Sequence, residues 1–199
     1  MAKNRAVILA VGVVCVLAGP ARGGHVDILC RTCHVPHRAG DPTASSVPLW
    51  NHELADQSPL PNFTLYSSRR FDALGTDISQ PDGASKLCLS CHDGSYAGVA
   101  VDSRAYFGAD ALARSHPISF TYDSALAARV GRGILRDPAS TSSGLGGTIA
   151  SDLLDVNGKL QCISCHDPHH AGKGAYHLRY DYSTAPGGET PLCGVCHNR

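Results

Sequence analysis

With 17 basic and 17 acidic side chains, this chain of 199 residues is formally neutral and lacks the charge excess of a nucleic-acid-binding protein. Its 21 Gly, 12 Pro and 6% aromatic content argue against a large side-chain core. Nine cysteines against a single methionine turn attention to cysteine spacing.

The N-terminus comes first. Met1-Ala-Lys3-Asn-Arg5 is charged, the run Ala6 to Ala18 is apolar, and Gly19-Pro20-Ala21 follows. That run is too short to span a bilayer and reads as a secretory signal over residues 1–21, cut after Ala21. Cys15 leaves with it, and so do Lys3 and Arg5 but no acid, so the mature domain 22–199 is slightly acidic. Export is therefore expected, and eight cysteines remain.

Those eight fall into four copies of one pattern: Cys30-x-x-Cys33-His34, Cys88-x-x-Cys91-His92, Cys162-x-x-Cys165-His166 and Cys193-x-x-Cys196-His197. On a helical turn, positions 1, 4 and 5 share a face. Two thiols there can each form a thioether to a porphyrin vinyl group, while the His points at the iron. A lone copy could be a zinc site or a redox pair; four copies, each with His after the second Cys, read as four covalently attached haem c groups. They are numbered one to four in chain order. No cysteine is left for a disulfide, and the porphyrins are expected to supply the missing core.

The haem-one stretch, residues 30–40, and the haem-three stretch, residues 162–172, share Cys-x-x-Cys-His-x-Pro-His-x-Ala-Gly, and a simpler copy follows each. The mature chain is thus two tandem dihaem units, about 22–120 and 121–199. Between haems one and two, irregular chain is expected, with a short helical piece near Ser68 to Leu74. Short helices are expected at Ala109 to Arg114 and at Ser124 to Val130, the second capped by Asp123 or Ser124 and ended by Gly131. Arg136 to Ala150 reads as a Ser/Gly loop. Leu153 to Cys162 reads as a small hairpin around Asn157-Gly158, and Asp181 to Glu189 as a turn-rich linker. The expected fold is mostly coil with short α-helices and a small hairpin, the haems forming the core.

Each iron needs a sixth ligand or an open position. Met1 leaves with the signal, which removes Met/His ligation. Seven histidines remain besides the four proximal ones, so bis-His ligation throughout is the direct reading. His37 and His169 occupy equivalent places in the repeat, three residues after a proximal His, too near to reach the far face of their own haem. Each must serve a neighbouring haem. His116, held extended by Pro117, is the next distal candidate. His25, on the arm Gly23-Gly24-His25, has no evident role in its own subunit. It is expected to ligate a haem of an adjacent subunit, haem four first, in a head-to-tail polymer. His52, His170 and His177 read as surface residues or propionate partners.

On these residues the chain resembles the extracellular tetrahaem cytochromes of the OmcE type. The resemblance spans most of the mature chain: the haem motifs in order, Pro48-Leu-Trp-Asn51, Ser115-His-Pro-Ile-Ser-Phe-Thr-Tyr122 and Asn157-Gly-Lys-Leu-Gln-Cys162. It implies bis-His haems, little regular secondary structure, and a nanowire filament carrying a continuous haem chain, secreted to the cell surface. The expected role is electron transfer with other redox proteins or extracellular acceptors, without bond chemistry. A monomeric periplasmic carrier is the alternative. A multihaem reductase would need an open iron, whereas all four motifs end in His and distal candidates outnumber the haems.

Overall fold

The computed structural model describes residues 25, 30–34, 62–69, 71, 73, 80–94, 105–131, 133–169, 175–180 and 191–198. Regular structure in these segments comes in short pieces. The α-helices are α1 Cys30–Cys33, α2 Gly83–His92, α3 Ser124–Val130, α4 Ile149–Leu153, α5 Cys162–Cys165 and α6 Pro191–Cys196. Strands β1 Phe120–Thr121 and β2 Lys159–Leu160 pair antiparallel, Phe120 opposite Leu160 and Thr121 opposite Lys159. Single 3₁₀ turns occur at Leu112–Arg114 and Ala175–His177. No described helix is long and apolar enough to cross a membrane.

Local signals explain the helices. Asp82 stands in extended conformation ahead of α2, whose buried face is Ala84, Ser85, Leu87, Leu89 and Ser90. The helix stops at Asp93, beyond which Gly94 takes a φ of +82°. Helix α3 forms over the expected residues. Asp123 Oδ1 accepts the Leu126 N–H at 2.7 Å, and Gly131, at φ +101°, donates to Ala127 O at 3.0 Å. The Ser/Gly loop is shorter than expected, because Thr148 and Ser151 form a reciprocal capping box that starts α4 at Ile149. The piece near Ser68 shows one turn, Phe71 N–H to Ser68 O at 3.0 Å. At Ala109 to Arg114 a turn leads into the first 3₁₀ piece.

The hairpin expectation is corrected in part. The turn forms, with Gly158 N–H donating to Asp155 O at 2.9 Å, and Leu154 bridges Leu160. The ladder partner of Lys159–Leu160 is nevertheless the distant β1. Leu153 is taken by α4, and Leu160 packs with Phe120 in the core.

That core is larger than composition promised. Ala73, Phe120, Tyr122, Leu126, Ala127, Leu135, Ile149, Leu153, Leu160 and Tyr180 form one buried cluster, with Leu192, Val195 and Cys196 packed against it. A smaller cluster joins Phe63, Leu89 and Leu112 beside α2. Between them lies a polar hub. Gln161, fully buried, donates through Nε2 to Asp82 Oδ1 and Asp155 Oδ2 at 2.9 and 2.8 Å, and accepts through Oε1 from Ser85 and Ser119 at 2.5 and 3.0 Å. Lys159 closes onto Asp82 at 2.7 Å. The 120/121 boundary marks the repeat in sequence, but β1–β2 pairing and the packing of α2 on α5 cross it.

Residues 1–21, His37, His52, His170 and the linker 181–190 lie outside the described residues.

Candidate haem sites

All four attachment motifs lie on helical turns: α1, the last turn of α2, α5 and α6. In three of them the proximal His N–H donates to the carbonyl of the first Cys: His34 to Cys30 at 2.8 Å, His166 to Cys162 at 3.0 Å and His197 to Cys193 at 2.9 Å. This i to i+4 bond puts positions 1 and 5 one above the other. The eight motif cysteines carry free thiols. Among the described residues, no three or more Cys, His, Asp or Glu side chains converge as a metal-ion site requires.

The histidines gather in pairs. His34 and His169 rings lie 6.0 Å apart and 21° from parallel, His25 and His92 5.9 Å apart at 20°, and His116 and His197 6.3 Å apart at 68°. A metal–imidazole bond of about 2 Å on each side, plus two ring radii, separates ring centres across one metal by roughly 6 Å. Each pair joins a proximal histidine to a residue from elsewhere in the chain. The donor set thus fits a bis-His haem at motifs one, two and four.

Second contacts orient the rings. His92 Nδ1 donates to Ala105 O at 2.8 Å, His166 Nδ1 to Tyr176 O at 2.9 Å and His116 Nδ1 to Pro117 O at 2.9 Å. A carbonyl only accepts, so Nδ1 carries the proton and Nε2 offers its lone pair to a metal. Tyr176 and His177 both sit at φ +59°, a strained backbone for large side chains, where Tyr176 O meets His166. Burial, then the neighbouring His92 and His177, lowers the His25 pKa and favours the neutral imidazole that ligation needs.

Thiol contacts give the attachment turns an order in space. Burial raises Cys91, and Cys33 of motif one adds to it. Cys88 of motif two donates a hydrogen bond to Cys162 of motif three, which raises Cys88 and lowers Cys162 to about 7. Burial, then Cys162 and Cys193, pushes Cys165 up to about 11; burial, then Cys165 and Cys193, pushes Cys196 up to about 12. Each turn neighbours the next, one to two to three to four.

Of the distal candidates, the structure brings His169 to His34 and His116 to His197, while His37 lies outside the described residues. Within the single chain, the His25 ring lies beside that of His92. His177, read as a surface residue, stands 5.3 Å from His25 at 54°. The carbonyls of Ala105 and Tyr176 carried no sequence signal, since main-chain acceptors have none. Compared with known proteins, the chain matches no family model and no curated relative.

Proposed function

We propose that this protein is a tetrahaem c-type cytochrome that transfers electrons through closely spaced bis-His haems. The observation that carries the proposal is the three imidazole pairs at axial separation, each containing a motif histidine. Cys30 and Cys33, Cys88 and Cys91, Cys162 and Cys165, and Cys193 and Cys196 would hold the four porphyrins. His34, His92, His166 and His197 are the proximal ligands. His169, His25 and His116 are the distal ligands of haems one, two and four, leaving His37 as the candidate for haem three. The haems supply one-electron chemistry when bound.

The protein's part is positional. Carbonyls fix the imidazole tautomers, the Gln161 hub ties motif two to motif three, and the paired histidines at motifs one, two and four would leave a bound iron no position for substrate. This supports a carrier over a reductase. Residues 1–21 as a signal support export. On assembly, the resemblance favours a filament subunit, with a monomeric carrier as the alternative.

Mass spectrometry of the denatured mature protein is expected to show four haem additions and no alkylatable thiol. Electron paramagnetic resonance should show low-spin ferric haems only. Fewer than four haems, or a labelled motif cysteine, would overturn the reading. Cryo-electron microscopy of the holoprotein decides between filament and monomer.

A further inference from the structure

Two stretches far apart in sequence meet their haem motifs in the same way. Leu135 forms an antiparallel bridge with His197, and Leu178 forms one with His166. The residue after each leucine is an arginine. Arg136 N–H donates to Cys196 O at 2.9 Å, and Arg179 N–H to Cys165 O at 2.9 Å. Arg136 Nε donates to Gly194 O at 2.9 Å, and Arg179 Nε to Ile163 O at 2.7 Å. Gly194 and Ile163 are the same position, the second, of their motifs. Three matched contacts in two copies form a built device, and Leu-Arg recurs in sequence outside the repeat that the cysteines reveal.

The chemistry of the contact is that of a helix end. A one-turn helix leaves its carbonyls without partners inside the helix. The clasp satisfies two of them and brings a permanent cation to the negative end of the turn. The guanidinium then lies within electrostatic reach of the second cysteine that would hold the porphyrin. In both copies its charge acts on the second thiol, opposing the rise that burial imposes on Cys196 and Cys165. Asp167 Oδ2 stands 3.5 Å from Arg179 Nη1 and offsets part of that charge.

Resting on the cytochrome reading, we propose that Leu135-Arg136 and Leu178-Arg179 are paired clasps that position haems four and three and raise their reduction potentials by holding a cation beside each attachment turn. A fixed positive charge favours the reduced haem, which carries one positive charge fewer than the oxidised one. The effect is larger at haem four, because Asp167 compensates Arg179.

Spectroelectrochemistry of the holoprotein tests this. Arg136→Met is expected to keep four haems and raise the oxidised-to-reduced ratio of one haem roughly threefold to tenfold at fixed potential, tenfold being about 59 mV for one electron. Arg179→Met gives a smaller shift at a different haem, and Arg136→Lys restores the wild-type midpoint through its charge. Four haems with all midpoints unchanged in both Met variants would overturn the clasp alone. A wild-type mass without four haems would overturn the cytochrome reading and the clasp with it. Should the Met variants lose a haem, hydrogen exchange on the wild-type holoprotein reads the same contact. Slow exchange at the Arg136 and Arg179 amides supports the clasp, and exchange at exposed-loop rates overturns it.

Discussion

His116 and His25 carry the most direct tests at the scale of single residues. His116 lies 6.3 Å from His197 and His25 lies 5.9 Å from His92, so the two serve different irons in this reading. His116→Ala and His25→Ala should each keep four haems attached and let the ferrous protein bind one carbon monoxide per chain. The double variant should bind two. If the double variant bound one, the two residues would share a haem. Acid should act on His25 as well. Its folded pKa lies below the ordinary 6.5, so its contribution to stability is complete above about pH 6.5 and is lost as the pH falls through the folded value. Lowering the pH through the folded value should cost stability that His25→Ala does not lose, measured by chemical denaturation at each pH.

Short elements are held by side-chain networks more than by their own length. Gln161 links Asp82 and Ser85 beside motif two to Asp155 and to the start of α5. Gln161→Leu leaves two carboxylates and two hydroxyls short of a partner and should cost about 3 kcal/mol, judged by roughly 1–3 kcal/mol for each such buried group and partial relief by water. Chemical denaturation of the holoprotein measures it. The α4 cap behaves differently, since Asp152 accepts from Ser143, Ser151 and the Gly147 N–H, which together lower its pKa. The stabilisation is present above the ordinary value of 3.8 and is lost as the pH falls through the folded one, so Asp152→Asn should flatten the acid limb of the stability profile. What was legible in sequence followed locality. Helix α3 has its cap, apolar face and stop within nine residues, and each attachment turn is written in five positions. The β1–β2 pairing was not legible, because Phe120 and Leu160 find each other through a shared core. Nor was His25 on His92, where no local pattern says which ring an arm will meet.

At the scale of the molecule the two repeats act as one unit. His169 of the second repeat faces His34 of the first, and the Cys88–Cys162 contact joins motif two to motif three. Changing Cys162 and Cys165 to Ala should therefore disturb haem one as well as removing haem three, because His169 depends on the fold around motif three. Resonance Raman of the remaining haems would show a lost six-coordinate species; three unperturbed bis-His haems would contradict the interlock. Side chains alone also contribute a core. Ile149 is completely buried, and Ile149→Ala should lower stability by about 2–5 kcal/mol.

The pairing of His34 with His169 also sets a schedule. In the cytochrome reading, a chain exported from its N-terminus would present motif one first, while the imidazole that would complete its iron arrives 135 positions later. His25 emerges earlier still and waits 67 positions for His92. The first haem attached would thus be the one that stays open longest. Between delivery of the first and second halves, its iron would be accessible to small ligands and oxidants that the finished cytochrome would shut out.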